Sequence, residues 1–377
     1  MSTSRKRKAL AKSRRIVVKV GSSTLTRDGL LRTRKVSDLV RQISVLAERG
    51  IEVVLVSSGA IAVGRFELGW TGAERSLREQ QAAAAVGQIG LTELYRRRFA
   101  RRGKKVGQVL LTRSGLEDRE RFLNARHTLL ELLRLGVVPS VNENDTVATE
   151  EIVFGDNDKL SATIVNLVDA DLLVVLTDVD GLYERPPRKG ESAPNLVKEI
   201  ERVTPALRRS AGAALSRTGR GGMVTKLEAA EMAAQCGATT VICHGGARDV
   251  LLRVQRGEEI GTLVHASEPM GDHQHWLAFT TRSRGEIVVD PQQRDTLTKR
   301  GGHVLAARVK EVRGRFRVGD TVTCVDRRGR EIARGLVSYG ATDLARIAGL
   351  SKREARRVLG YWNGEVIHRD DLVLLEN

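Results

Sequence analysis

Apolar segments that end in glycine or polar residues recur along this chain and alternate with helical patterns as far as about residue 264. Residues 16–20, IVVKV, end in Gly-Ser-Ser-Thr, and residues 51–56, IEVVLV, end in Ser-Ser-Gly-Ala. Residues 171–176, DLLVVL, end in Thr-Asp. Such alternation predicts an α/β fold with a doubly wound, mostly parallel sheet between layers of helices. Right-handed crossovers bring the polar strand ends to one edge, where α/β proteins bind ligands.

The most polar of these strand ends lies within residues 139–162, PSVNENDTVATEEIVFGDNDKLSA. Apolar residues lead into this stretch and out of it, and amides and carboxylates lie between them. This arrangement predicts a binding site at the carboxyl edge of the sheet. Each half of the stretch also fits a polar loop with an Asx turn and a helix cap at Asp156 or Asn157, because turns and caps commonly use these residues.

Two lysines beside glycines are suited to bind phosphate. Lys19 lies inside an apolar strand pattern, a costly position for an ammonium group unless an anion lies at the strand end. Lys226 closes the Gly-rich stretch RTGRGGMVTK, just before a helical pattern. Glycines before a helix can hold phosphates through backbone N–H groups and the helix dipole. A snorkelling lysine and an ordinary surface loop are the alternatives, and the P-loop spacing is absent.

Composition excludes several classes of protein. A hydrophobic content of 41% and a charged content of 29% fit a globular chain with a core. Apolar runs are far shorter than the roughly 18 residues that span a bilayer, and no apolar signal segment follows the basic N-terminus. We therefore expect a cytoplasmic protein with no membrane partner. Cys236, Cys243 and Cys324 lack metal-ligand spacing, so neither a zinc site nor a disulfide framework is expected.

The formal net charge of +17 allows two interpretations. About +7 of it falls in residues 1–15, for which we predict a basic, disordered tail. The remainder is spread along the chain, mostly as Arg. A basic surface attracts nucleic acid or anionic substrates, but it also fits a solvated face with no binding role. The aromatic content of 3% argues against stacking platforms for single strands.

The pattern changes after about residue 267. A polar junction, HASEPMGDHQHW, is followed by short strand patterns, Gly-rich turns and one helical pattern at residues 342–358. These features predict a small, mostly β, barrel-like domain. We therefore divide the chain into the tail at residues 1–15, the α/β domain at 16–266, a linker at 267–283 and the small domain at 284–377.

Together these segments resemble the glutamate 5-kinases, a family of the amino-acid kinase superfamily with a C-terminal PUA domain. The segments VVKVGSS and VSSGAIA are shared across the superfamily. The segments LLTRSGLEDRERFLNAR, VNENDTVAT, FGDNDKLSA and GGMVTKLEAA, in this order, are much more specific. The resemblance covers nearly the whole chain from Ile16 onward. It implies ATP-dependent phosphorylation of the side-chain carboxylate of L-glutamate, the first step of proline biosynthesis, with proline as an expected inhibitor.

The residues fit that reaction in one respect. A carboxylate nucleophile has a reference pKa of about 4.3 and is already ionised at neutral pH. No general base is required, and no His-based catalytic pattern is evident. Bringing an anionic nucleophile to a polyanionic donor instead calls for cations and accurate positioning.

The resemblance also implies roles for individual residues. Lys19 and Lys226 would act as catalytic cations on the ATP phosphates, and Asp158 would orient both and keep them protonated. Mg²⁺ is expected to arrive with ATP, coordinated mainly by phosphates and water rather than by a protein metal site. Arg220 replaces a residue that is often small or Thr in the family, and its role stays open. The expected ATP-binding residues are Lys19, Gly21, Thr177, Asp178, Arg220, Gly221, Gly222, Met223, Val224, Thr225 and Lys226.

Glutamate is expected to bind at Ser58, Asn142, Asp145 and Asn157, with Asp145 pairing with the α-ammonium group. Two other functions stay open. A sister kinase that acts on another acidic substrate would share most of these motifs. An RNA-binding protein is the alternative from a different class, because PUA domains often bind RNA and this one is Arg-rich. The resemblance further suggests a homodimer or homotetramer.

Overall fold

The computed structural model describes residues 5–27, 30–70, 76–147, 157–185, 194–212, 222–268, 274, 276–300 and 302–375. The chain divides into two compact units, Met1–Pro269 and Met270–Asn377. Within the described ranges, no helix is long and apolar enough to cross a membrane.

The first unit is built on an eight-stranded sheet. Its strands are β1 Arg15–Val20, β4 Glu52–Ser57, β5 Lys105–Leu111, β6 Val137–Glu143, β7 Leu172–Thr177, β8 Glu199–Ile200, β9 Thr239–His244 and β10 Thr262–Val264. Their order is β5-β6-β4-β1-β7-β9-β10-β8. Among the described pairs of this sheet, only β9 and β10 run antiparallel. Two short strands, β2 Thr26–Arg27 and β3 Leu30–Leu31, pair separately.

Helices flank this sheet, so the predicted doubly wound, mostly parallel α/β fold is confirmed. The strands β1, β4 and β7 are almost continuously apolar because they are buried on both faces. The helices of this unit are α1 Arg5–Ala9, α2 Ser22–Leu25, α3 Thr33–Glu48, α4 Ala60–Glu67, α5 Leu77–Ala100, α6 Arg113–Leu116, α7 Arg119–Arg134, α8 Asn157–Val168, α9 Pro205–Gly212, α10 Met223–Gln235 and α11 Val250–Gln255.

Strand β1 lies between β4 and β7, and this placement locates the site. The chain leaves β1 towards β4, β5 and β6, then returns across β1 through α8 to reach β7. The order in which strands are added to the sheet therefore reverses at β1. Open α/β sheets bind ligands at the carboxyl ends of the strands beside such a switch point.

Helices α4 and α5 approach each other to backbone contact. A Cβ atom on Gly64 would lie 1.8 Å from the carbonyl oxygen of Ala83, and one on Gly87 would lie 2.0 Å from that of Ala60. Any side chain at either glycine would push the helices apart. The contact fixes the position of α5, whose Tyr95 hydroxyl lies 2.9 Å from the Ser57 hydroxyl at the end of β4.

The predicted disordered tail is wrong for residues 5–15. These residues form α1, a 3₁₀ turn at Leu10–Lys12 and the start of β1. Arg7 is 1% exposed, and its guanidinium group donates to backbone carbonyls of residues distant in sequence. Leu10 is buried in the core of the unit. The run of charges indicated solvation, but one cation is satisfied by carbonyl oxygens and one apolar residue anchors the segment.

The second unit is small and mostly β, as predicted. Its strands are β11 Gly285–Val289, β12 Val309–Gly314, β13 Thr321–Val325, β14 Glu331–Leu336 and β15 Leu372–Leu374, in the order β12-β11-β13-β14-β15. Its helices are α12 Pro291–Arg300, α13 Ala341–Ile347 and α14 Lys352–Leu359.

Two details of this unit differ from the sequence interpretation. The single helix predicted at residues 342–358 is two helices, because Gly349 has a left-handed φ of 79° and Ser351 forms a capping box that starts α14. The predicted linker at residues 267–283 includes a buried helical turn, Trp276–Thr280. The guanidinium group of Arg334 donates to the carbonyl oxygen of Ala278 in this turn at 2.9 Å.

Candidate active site

Asp158 lies between two lysines that come from distant parts of the chain. The Nζ atom of Lys19, on β1, is 2.5 Å from Oδ1 of Asp158, and the Nζ atom of Lys226, on α10, is 3.3 Å from Oδ2. The hydroxyl group of Thr225 also donates to Oδ2, at 2.8 Å. All three charged residues are buried. Because buried charges are costly even when paired, such a cluster at strand ends indicates a functional site.

The ionisation of Asp158 reflects two opposing effects. Burial by itself would raise its pKa, but the positive charges of Lys19 and Lys226 and hydrogen bonds from Lys19 and Thr225 lower it well below its ordinary value. Asp158 is therefore a carboxylate at neutral pH. Two ammonium groups and one carboxylate give the cluster a formal charge of +1, which favours an anionic ligand.

Local sequence explains how the elements of this cluster meet. Asp158 lies in the first turn of α8, where a carboxylate is favoured by the helix dipole. Gly222 precedes α10 in an extended conformation. Its carbonyl oxygen lies 2.9 Å from the Thr225 hydroxyl oxygen and accepts a hydrogen bond from Lys226 Nζ at 3.4 Å. The N-terminus of α10 thus lies beside the lysines, and helix N-termini attract phosphate.

Gly21 follows β1 and keeps the space beside Lys19 open. A Cβ atom at this position would lie 3.8 Å from the Nζ atom of Lys19. The backbone N–H group of Gly21 donates to the carbonyl oxygen of Leu176 on β7 at 3.4 Å. The turn after β1 is therefore tied to the neighbouring strand, and its glycine allows a ligand to approach the ammonium group.

A hydrogen-bonded network of neutral side chains adjoins the charged cluster. Asn157 precedes Asp158 and donates from Nδ2 to the Ser58 hydroxyl at 2.8 Å and to Oδ1 of Asn142 at 2.9 Å. Asn142 in turn donates from Nδ2 to Oε1 of Gln88 at 2.8 Å. The Oδ1 atom of Asn157 is buried and has no hydrogen-bond partner among the described residues. Since an unsatisfied buried acceptor costs about 1–3 kcal/mol, this oxygen is suited to accept from a ligand.

The other predicted residues that the structure describes lie at the ends of β6 and β7 and at the start of α10. Thr177 ends β7, and its hydroxyl donates to Oδ1 of Asp178 at 3.1 Å, so this bond links the two to each other rather than to the lysines. Met223 and Val224 form the first turn of α10. Asp145 lies half-buried in the turn after β6. Three predicted positions, Asp156, Arg220 and Gly221, lie outside the described residues.

Gln88 is a site residue that the sequence interpretation missed. It lies in the long helix α5, for which the sequence analysis named no site residue. The available signal was Gly87 beside it, because a glycine inside a helix often marks close packing. That packing brings Gln88 to Asn142.

The chain matches known families in both units. Residues 14–244 match the amino acid kinase family, and residues 285–359 match the PUA domain. Glutamate 5-kinase from Ralstonia nicotianae is 49% identical over 372 residues, which cover 98% of this chain and 99% of that protein. Glutamate 5-kinase from Burkholderia thailandensis is also 49% identical over 372 residues, with 98% and 100% covered.

The chain belongs to the glutamate 5-kinase family. The resemblance stated from the sequence is confirmed, as are the expected kinase class and the presence of an amino acid kinase domain with a PUA domain. Among solved structures, UMP kinase from Bacillus anthracis aligns over 68% of this chain and 97% of its own, at 16% identity and a TM-score of 0.45.

Proposed function

We propose that this protein transfers the γ-phosphoryl group of ATP to the side-chain carboxylate of L-glutamate, giving L-glutamyl 5-phosphate for proline biosynthesis. The observation that carries the proposal is the convergence of Lys19 and Lys226 on Asp158. Asn157, the preceding residue, starts a network of amide and hydroxyl groups. A cationic subsite for the donor and a neutral polar subsite for the acceptor thus meet at the start of α8.

The phosphoryl transfer needs no proton acceptor. The glutamate carboxylate attacks the γ-phosphorus, the bond to the bridging oxygen of ADP breaks, and ADP leaves with that electron pair. Negative charge then lies on the equatorial and leaving oxygens. We assign the ammonium groups of Lys19 and Lys226 to stabilise that charge, and Asp158 to hold both where the phosphates bind. The N-terminus of α10, with Gly222, Met223, Val224 and Thr225, supports the phosphates.

The acceptor subsite suits the polar atoms of an amino acid. The unsatisfied Oδ1 of Asn157 can accept from the ammonium group of the substrate, while Ser58 and Asn142 can donate to its carboxylates. We assign Asp145 to the α-ammonium group on the basis of its charge and its place after β6. Gln88 holds the Asn142 amide and so orients it.

Mg²⁺ would enter this site bound to the nucleotide, whose phosphate oxygens are its ligands. Both oxygens of Asp158 are engaged by ammonium and hydroxyl groups, and the described residues include no group of three or more His, Cys, Asp or Glu suited to a metal ion. We infer that phosphate oxygens and water coordinate Mg²⁺. Bound Mg²⁺ would neutralise part of the phosphate charge, and Lys19 and Lys226 would offset the rest.

Trapping the acyl phosphate tests the proposed reaction. Purified protein is incubated with MgATP, hydroxylamine and, in separate reactions, L-glutamate, L-aspartate or N-acetyl-L-glutamate. We expect hydroxamate with L-glutamate. A clear preference for another acid would make the protein a sister kinase, and no glutamate-dependent hydroxamate over a range of pH and metal ions would refute the proposal.

Three further properties belong to the same proposal. Family membership supports inhibition by proline, which the hydroxamate assay would detect directly. Family membership also supports assembly into a homodimer or homotetramer. The free thiols of Cys236, Cys243 and Cys324 fit the reducing cytoplasm.

RNA binding by the second unit is a second candidate function. Helix α14 exposes Lys352, Arg353, Arg356 and Arg357, and Tyr361 follows it with 40% of its surface exposed. Cations beside an aromatic ring suit phosphate contact and base stacking. A gel shift of the full chain with structured RNA tests this candidate. Binding that weakens steeply with salt would support it, and no binding at low salt would refute it.

A further inference from the structure

The basic N-terminal segment contains one cation that is not solvated. Arg5, Lys6 and Lys8 on α1 are exposed, whereas Arg7 is 1% exposed. A buried guanidinium group must find acceptors for its donors. The acceptors that Arg7 contacts therefore show which part of the fold the N-terminal segment packs against.

Arg7 joins the start of the edge strand β8 to the start of its neighbour β10. Its Nη2 atom donates to the carbonyl oxygens of Lys198, before β8, at 2.7 Å and Gly261, before β10, at 3.1 Å. Its Nη1 atom donates to the carbonyl oxygen of Ile260 at 2.9 Å, and Nε lies 3.6 Å from Oε1 of Glu199. One planar group thus fixes the spacing of two strands, which a lysine cannot do in the same way.

The backbone of the segment is held as closely as its side chain. A Cβ atom on Gly257, which has a φ of 79°, would lie 2.4 Å from the carbonyl oxygen of Arg7. The side-chain amide of Gln255 donates to the carbonyl oxygen of Ala11 at 3.2 Å. The segment therefore occupies a fitted position against the residues between α11 and β10.

Strand β10 also holds the loop that follows β7. The Thr262 hydroxyl oxygen accepts from the backbone N–H group of Leu182 at 2.8 Å. The chain approaches Thr262 so closely here that a Cβ atom on Gly181 would lie 2.6 Å from that hydroxyl oxygen. Residues 178–182 are thus fixed between Thr177 at one end and Thr262 at the other.

We propose that Arg7 is a positioning residue for the nucleotide site, acting through β8 and β10 on Thr262 and so on the loop at residues 178–182. The inference rests on the nucleotide role proposed for Thr177 and Asp178. It assigns the basic segment a part in ATP affinity and no part in glutamate binding, because Ser58, Asn142 and Asn157 lie on other elements.

Steady-state kinetics of Arg7→Ala, Arg7→Lys and Thr262→Val test the proposal. Each variant should raise the KM for ATP on the order of tenfold, the scale of coupling between linked sites, and change the KM for glutamate less than twofold. The double variant Arg7→Lys/Thr262→Val should be less than additive, since both act on one loop. Lys8→Gln, which removes an exposed cation from the same helix, is the matched control and should match the wild type.

The outcomes separate positioning from general stabilisation. Thermal unfolding identifies variants that fold, and if Arg7→Ala does not fold, Arg7→Lys and Thr262→Val decide by the same criterion. A folded variant with an unchanged KM for ATP, or with parallel changes for both substrates, overturns the proposal. Calorimetric binding of a non-hydrolysable ATP analogue with Mg²⁺ gives the same comparison without turnover, so it tests Arg7 even if the wild type proves inactive on glutamate.

Discussion

The Nζ atom of Lys19 lies 2.5 Å from Oδ1 of Asp158, near the carboxyl end of β1, and both residues are buried. The other carboxylate oxygen, Oδ2, accepts hydrogen bonds from Lys226 and Thr225. One buried carboxylate therefore sets the separation of two cations on β1 and α10. We infer that this spacing, rather than any single charge, prepares the site for a polyphosphate.

Replacing Asp158 with Asn tests whether its negative charge holds the two lysines in place. The variant retains the side-chain shape but leaves two buried ammonium groups without their anion, and breaking a buried pair typically costs about 3–5 kcal/mol. We expect kcat to fall by about a hundredfold or more and the melting temperature to fall. MgATP should raise the melting temperature more in the variant than in the wild type, because phosphates replace the missing charge. Asp169→Asn, which removes an exposed partner of Arg126, is the control and should leave kcat unchanged.

The free energy of unfolding should depend on pH through the ionisation of Asp158. The pKa of Asp158 is lowered in the folded state, so its contribution to stability is present above the unfolded-state pKa of about 3.9 and is lost as pH falls below it. Urea unfolding of the wild type and Asp158→Asn should show a constant difference in unfolding free energy from neutral pH down to about pH 5, and a shrinking one below about pH 4. A difference that already shrinks near neutral pH would show that Asp158 is not the charged partner.

Gln88 should affect glutamate binding without touching the charged cluster. In Gln88→Leu the Nδ2 atom of Asn142 loses its acceptor, a loss of about 1–3 kcal/mol when the donor is left unsatisfied. We expect the KM for glutamate to rise and the KM for ATP to stay within twofold. Thr92→Val removes only the partner of the Gln88 Nε2 atom and should be milder. Equal changes in both KM values would contradict the division of the site.

The contact between α4 and α5 should be as sensitive to a methyl group as the core. Gly87→Ala places a Cβ atom against backbone, and overpacking of this kind costs about 1–3 kcal/mol. Because α5 carries Gln88, we also expect a higher KM for glutamate. Gly90→Ala is the matched control on the same helix, since its nearest atom is the end of the Glu67 side chain, which can move. Similar melting temperatures for the two variants would contradict this account.

Most of the fold follows from local sequence, and so do several of the residues proposed for the site. The buried strands can be predicted because burial on both faces makes them continuously apolar. Lys19 and Lys226 can be selected as phosphate-binding candidates because each lies beside glycines. The family resemblance supplied the role proposed for Asp158, and the structure adds the distances that join this residue to both lysines.

The parts that the sequence interpretation missed depend on contacts between distant residues. Arg7 looked like one more exposed cation until the carbonyls of Lys198 and Gly261 placed it inside the fold. Gln88 required the crossing of α4 and α5, which no local pattern specifies. The break between α13 and α14 is marked locally by Gly349 and Ser351, although the sequence interpretation predicted one continuous helix there.

The turnover of Lys226→Met tests the central claim most directly, because Met keeps most of the length of the side chain and removes its charge. The hydroxamate assay is run at saturating MgATP and L-glutamate, with Lys159→Met, a half-buried lysine on α8 that pairs with Glu228, as the matched control. If the two lysines stabilise the transferring phosphoryl group, Lys226→Met should lose about 10²–10³ in kcat, the range for one transition-state electrostatic contact, while Lys159→Met stays near wild type. Turnover of Lys226→Met near that of the wild type would contradict the account.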